Sequence, residues 1–285
     1  MKKNGVPSRK IFRKKSLIIP CIVTVLMLIF LGYQYFDNKN IVLNAKSAVV
    51  MSLDKNKVMF NKNMDKRLIP GSLTKLMSML IVFEKINAGH ISFDQKIYIS
   101  QKATATVGSK AGLYTGEHIS VDDLIKCVFL PSGSDAVIAF AEHLYGTQEA
   151  FVGEMNEKVK QLNLKNTHFA NCIGLEDPEH YSSAHDIAII ADELTSRYPK
   201  AYEYTSLRRV TIKHEEGSEF MLMNSNDMLD TEGINGLKTG STPNGGYSLA
   251  MTSNKSGKHL IFVVIGNDSQ YFRKKDCKNL LSAFY

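Results

Sequence analysis

The chain has 285 residues, 44% of them apolar, a length that suits one large domain or two small ones with a sizeable core. Its net charge of +7 lies wholly in the first sixteen residues: Lys2, Lys3, Arg9, Lys10, Arg13, Lys14 and Lys15 meet no acid there, and removing those seven from the 35 basic residues leaves 28 against 28 acidic ones. The remainder is formally neutral, which excludes the basic footprint of a nucleic-acid-binding surface.

From Leu17 to Phe36 run twenty residues without a charge, enough at 1.5 Å per residue to cross a hydrocarbon core of about 30 Å. Pro20 is tolerated near the start of such a helix, and Tyr33, Tyr35 and Phe36 suit the far interface. The basic arm, residues 1–16, is expected to stay in the cytoplasm, which puts everything after Asp37 outside the membrane. The competing reading is a cleaved signal peptide, but Gly32-Tyr33-Gln34-Tyr35 offers no small-residue cleavage site. Residues 37–44 read as a polar linker, and the folded part as 45–285.

Cys21 falls in the span, while Cys127, Cys172 and Cys277 lie in the exported part, where three cannot all pair within one molecule. No C-x-x-C occurs, so metal, redox and haem readings have no support, and Cys127 reads as a small core residue. The eight histidines carry no H-E-x-x-H, and His180 and His185 do not share a helix face.

Ala48 to Leu53, a turn at Asp54 to Lys57, and Val58 to Phe60 predict a strand hairpin. Pro70-Gly71 breaks the chain. Ser72 then opens a run to Asn87 whose apolar residues cover nearly every face, the mark of a buried helix, with Gly89 as its stop. The stretch from about Val121 to Tyr198 is helical in character. Asp135 precedes one apolar run and Gly146 ends it; Phe151, Met155, Val159 and Leu162 keep helical spacing; Ser183 is placed to cap Ile187 to Leu194. Arg209–Lys213, Phe220–Met223, Gly236–Thr239, Tyr247–Met251 and Leu260–Ile265 are short β-prone runs, and Gln270 to Phe284 is a closing amphipathic helix. The order predicts an α+β domain: an antiparallel sheet flanked by helices, plus a helical subdomain, preceded by one transmembrane helix.

Three short motifs carry the chemistry. Ser72-Leu73-Thr74-Lys75 is S-x-x-K at a helix start, where residues three apart share a face with β-carbons about 5 to 6 Å apart, so Lys75 can reach the Ser72 hydroxyl. The same spacing in Ser52-Leu53-Asp54-Lys55 falls in a strand and turn and carries nothing. A helix start also offers free N–H groups and positive dipole to an oxyanion. Burial, or a cation such as Lys238, would depress the Lys75 pKa and make it a base. Taken singly, Ser72 also reads as an N-cap and Lys75 as a solvated lysine. Ser132-Gly133-Ser134 alone is an ordinary turn. Lys238-Thr239-Gly240-Ser241 lies at a strand where glycine permits close approach, and its lysine and hydroxyl suit a substrate carboxylate. Joint occurrence in this order is what argues for a serine enzyme with a lysine base.

With Pro70 to Met77, Ser132 to Ala136, Leu164 to Phe169, Gly174-Leu175, His180 to Ala184 and Gly236 to Gly240 in this order, the chain from Ala45 to Asn267 resembles the D-alanyl-D-alanine carboxypeptidase family. These are low-molecular-mass penicillin-binding proteins, serine peptidases related to β-lactamases. The resemblance implies a β-lactamase/DD-peptidase-like fold, no metal or organic cofactor, a peptidoglycan stem peptide ending in D-Ala-D-Ala as substrate, and acylation by β-lactam antibiotics. It implies that Ser72 attacks, Lys75 takes the serine proton, and Ser132 passes a proton to the leaving amine. Lys238 and Thr239 would hold the substrate carboxylate, with Gly240 beside them, and the Ser72 and Ser241 N–H groups would form the oxyanion hole. His168 and His180 would fix loops.

One position departs from the family pattern: its second motif ends in asparagine, and here Ser134 stands at that substrate-binding position. A serine offers one hydroxyl on a shorter arm, so a slower or differently selective enzyme is expected. Many members also carry a β-rich domain and a C-terminal amphipathic anchor; here a single-domain enzyme anchored at its N-terminus is the expectation. Three alternatives remain open: a β-lactamase, with Glu176 or Glu179 as an added glutamate; a non-catalytic penicillin sensor or wall-binding protein; and a transpeptidase.

Overall fold

The computed structural model describes Met1, Thr24, Met27 and residues 41–285 apart from Asn56. The expected span, 17–36, lies outside the described residues except at Thr24 and Met27. Among the described residues no helix is long and apolar enough to cross a membrane. The chain divides into Met1–Val42 and a compact unit, Leu43–Tyr285. That unit begins two residues before Ala45, because Leu43 is buried and the Asn44 and Ala45 amides donate to the Asp276 carboxylate at 3.1 and 2.7 Å.

The hairpin near the start is β1 (Ser47–Ser52) and β2 (Lys57–Lys62). It joins β7 (Ile234–Thr242), β8 (Gly246–Lys255) and β9 (Lys258–Asn267) in a five-stranded sheet of order β2-β1-β9-β8-β7, antiparallel at every pairing. Side chains alternate between faces. Ile261, Val263 and Ile265 of β9 enter the main core, while Phe262 meets Phe284 edge-on at 6.4 Å on the other face. Because both faces are covered, the central strands read as continuous apolar runs.

Helix α1 (Lys75–Asn87) follows a 3₁₀ turn over Gly71–Thr74. Its residues from Lys75 to Phe83 are all buried, as the all-round apolar pattern demands. The helical subdomain contains α3 (Val121–Phe129), α4 (Ser134–Tyr145) and α5 (Gln148–Gln161), preceded by a small hairpin of β3 (Lys96–Tyr98) and β4 (His118–Ser120) that encloses α2 (Gln101–Ala105). Helix α6 (Ala184–Arg197) is capped by Ser183 as its sequence predicts, the hydroxyl accepting from the Asp186 amide at 3.1 Å. A short α7 (Ala201–Thr205) leads to β5 (Arg209–Lys213) and β6 (Glu219–Met223), and α8 (Gln270–Phe284) closes the unit. The β5 and β6 runs are strands, but they pair only with each other and stand apart from the main sheet. Cys127, Cys172 and Cys277 are all free and buried.

Candidate active site

The 3₁₀ turn, the start of α4 and the edge strand β7 bring the three motifs together. Lys75 is 1% exposed. Its Nζ lies 3.3 Å from Ser72 Oγ, 3.2 Å from Ser132 Oγ, 3.0 Å from Ser134 Oγ and 2.5 Å from the Ser132 carbonyl oxygen. An ammonium has three N–H groups for these four oxygens, whereas a neutral amine has two donors and one lone pair. In the neutral form the lone pair can accept the Ser72 proton while the two N–H groups serve two of the other three oxygens. Burial drives the Lys75 pKa down to about 7 against an opposing pull from the Asp135 carboxylate. Burial, rather than the charge of Lys238, is thus what makes Lys75 a base at neutral pH.

Ser132 adopts φ 66°, a left-handed conformation costing a non-glycine residue about 1 to 3 kcal/mol that is held by its surroundings. The next residue cannot carry a side chain: a Cβ on Gly133 would sit 2.7 Å from the Cys127 carbonyl oxygen and 2.8 Å from Asp135 Oδ1. Asp135 itself is buried and accepts from the Ala111, Gly112 and Leu113 amides, so it ties the loop before β4 to the site. Ser134, expected to contact substrate, is 2% exposed, and its hydroxyl oxygen accepts from Lys75 Nζ at 3.0 Å.

On the opposite wall, Gly240 makes a close approach, since a Cβ there would lie 2.7 Å from the Pro70 carbonyl oxygen. The same packing sets the Ser241 amide nitrogen 3.2 Å from where a Gly71 Cβ would stand, alongside the turn that carries Ser72. Thr239 Oγ1 is 2.6 Å from Ser225 Oγ. Lys238 is 1% exposed, and its Nζ donates to the Thr239 carbonyl oxygen at 3.2 Å. Its pKa falls well below the ordinary lysine range because it is buried and because Lys75 and Arg273 add like charge. A buried amine so poorly matched gains most from an arriving anion, which stabilises its protonated form.

A model of the D-alanyl-D-alanine carboxypeptidase family matches residues 35–269. The chain belongs to this family. The carboxypeptidase DacF of Bacillus subtilis is 37% identical over 238 residues, which are 83% of this chain and 61% of the relative, so the chain spans about three fifths of that relative's length. The crystal structure of the carboxypeptidase DacD from Francisella tularensis superposes with a TM-score of 0.81 at 32% identity, covering 86% of this chain and 71% of that one. The Streptomyces K15 DD-transpeptidase gives 0.80 at 27% identity over 85% of this chain and 97% of that one. The α+β DD-peptidase fold expected from the sequence is the fold observed.

Within this carboxypeptidase-family site, Arg273 is a residue that sequence reading missed. It lies on α8, 4% exposed, donates to Asp227 Oδ1 at 2.7 Å, and leaves its buried Nε without a protein partner. No local pattern marks an arginine on an amphipathic helix; its burial and its like charge acting on Lys238 do. The histidines behave as the resemblance implies. His180 Nδ1 accepts from the Ala170 amide at 3.1 Å, which leaves Nε2–H to donate to Thr74 Oγ1 at 2.8 Å, and burial lowers its pKa to about 4. His168 Nδ1 donates to the Glu179 carbonyl oxygen at 2.6 Å. A hydrogen bond from Thr242, with those from the Asn244 amide and side chain at 2.7 and 2.6 Å, lowers the Glu176 pKa to about 2.

Proposed function

We propose that the chain is a serine-type D-Ala-D-Ala carboxypeptidase that trims peptidoglycan stem peptides and is acylated by penicillins. The observation that carries this reading is a buried Lys75 amine, with its pKa near 7, in hydrogen-bond reach of both Ser72 Oγ and Ser132 Oγ. Lys75 takes the Ser72 proton as Oγ attacks the carbonyl between the two D-alanines. The Ser72 and Ser241 N–H groups receive the oxyanion. The Ser132 hydroxyl delivers a proton to the leaving D-alanine amine, whose carboxylate is held by Lys238 and Thr239, with Arg273 adding positive potential. Water, deprotonated through Lys75, then attacks the Ser72 ester and releases the shortened peptide.

Both Glu176 oxygens are engaged by Asn244, which disfavours a β-lactamase that deacylates through that residue, and the Ser72–Lys75–Ser132 cluster disfavours a non-catalytic sensor. Transfer of the acyl group to an amine uses the same intermediate, and the likeness to the Streptomyces DD-transpeptidase supports it as a second outcome. The membrane part of the proposal rests on the sequence: residues 17–36 anchor the chain and the seven positive charges before them keep the catalytic unit outside the cytoplasm. The test is release of D-alanine from a pentapeptide ending in D-Ala-D-Ala. Ser72→Ala and Lys75→Ala should each lower it by about a thousandfold or more. Release unchanged in either variant would overturn the assignment.

A further inference from the structure

The hairpin of β5 and β6 is tied to the rest of the unit beyond its base and at its tip. Beyond its base, Ser225 N donates to the Leu130 carbonyl oxygen at 3.0 Å, two residues before Ser132, and Ser225 Oγ meets Thr239 Oγ1 at 2.6 Å. At its tip, His214 Nδ1 donates to Glu117 at 2.9 Å to Oε2, with the two side chains 3% and 5% exposed. The His214 ring is stacked between Tyr114 at 3.8 Å and Phe220 at 4.0 Å. Beside it the Glu215 carboxylate accepts from the His118 amide at 2.8 Å, and the Glu117 Oε1 oxygen accepts from the Tyr114 amide at 2.6 Å.

Glu117, His214 and Glu216 gather their ligand atoms within 4.8 Å of one another, but the Glu117 oxygens are already taken by protein donors and Glu216 accepts from Ser218 Oγ at 2.7 Å. His214 and Glu117 therefore work as a clasp between two chain segments. What it clasps is the loop from Thr106 to Glu117. That loop accepts from the Ser134 amide through the Ser109 carbonyl at 2.7 Å, and Gly108 brings its Cα so near that a Cβ would stand 3.2 Å from Ser134 Oγ.

We infer that the His214–Glu117 clasp is a positioning device for catalysis: it fixes the 106–117 loop against Ser134 and so sets how Ser132 and Ser134 meet Lys75. The inference rests on the acyl-transfer reading of Ser72. Past its base, Ser225 binds both Thr239 and Leu130, and at the tip His214 binds the loop over Ser134, so this segment links the two walls. A displacement of about 1 Å at reacting groups costs up to about a hundredfold in rate.

The test is acylation of the full chain by benzylpenicillin, followed by intact mass. His214→Ala should lower the acylation rate at saturating benzylpenicillin by about tenfold or more, while the half-saturating concentration moves less than about threefold. The pH midpoint of acylation should rise as water gains access to Lys75. His214→Phe, which keeps a stacked ring without the N–H donor, should be as slow as His214→Ala. His214→Asn, which restores a donor, should recover most of the rate. If His214→Ala fails to fold, Glu215→Ala cuts only the His118 contacts and should give a smaller loss with the same shift in pH midpoint. Variants acylated at the parent rate and pH midpoint, with only the melting temperature lowered, would make the clasp purely structural and overturn the inference. A parent chain that forms no adduct overturns the acyl-transfer reading, and this inference with it.

Discussion

Lys75 concentrates the chemistry because burial lowers the cost of leaving its amine neutral and so able to take a proton. Its pKa near 7 means that the neutral, basic form grows as pH rises through 7 and that protonation below 7 removes the lone pair that accepts from Ser72. The acylation rate should therefore climb with pH to a plateau with a midpoint near 7, and should not fall again until a different group titrates; the pH profile of benzylpenicillin acylation measures it. A rate independent of pH between 5 and 9 would remove Lys75 from the role of base. Ser134 is the second residue-scale question. Its hydroxyl serves Lys75 and leaves the substrate without the amide donors of an asparagine. Ser134→Asn should raise D-alanine release by about tenfold, the worth of about one hydrogen bond. A lowered release would show that the serine is fitted to Lys75 rather than lacking something for the substrate.

At the scale of elements, the nucleophile's turn is held by backbone packing. Gly174 (φ 89°) lies against Gly71 so closely that a Cβ would collide with the Gly71 carbonyl oxygen, and the loop carrying it is tied by Asn171 Oδ1, which accepts from the Gly174 and Leu175 amides at 2.8 and 2.9 Å. Gly174→Ala should destabilise the protein by about 1 to 3 kcal/mol through strain and forced displacement, and slow acylation as the Gly71–Ser72 peptide shifts; thermal unfolding and acylation rate check the two parts. The elements legible in the sequence were those with long, one-valued patterns. The all-round apolar run after Ser72 gave α1, and the alternating or continuous apolar runs gave β1, β8 and β9. The strands β3 and β4, three residues each, carry too short a pattern to read. The β5 and β6 runs looked like sheet strands because local alternation says nothing about which partner a strand finds.

For the whole molecule, the motifs were legible because S-x-x-K, S-G-S and K-T-G keep their chemistry within a few residues. Long-range juxtapositions were not: Arg273 with its charge acting on Lys238, or His214 against Glu117 across 97 positions of sequence. The proposed anchoring, argued from a charge excess confined to residues 1–16, predicts that protease added outside intact cells removes the catalytic unit and spares the basic arm; a catalytic unit left intact would contradict it. The central claim, an acyl-enzyme formed at Ser72 with Lys75 as its base, is tested most directly by time-resolved intact mass of the full chain with benzylpenicillin beside Ser72→Ala. The account predicts one penicilloyl group, long-lived, on the parent chain alone. No adduct on the parent, an adduct that Ser72→Ala still forms, or one lost as fast as penicillin is hydrolysed would contradict it.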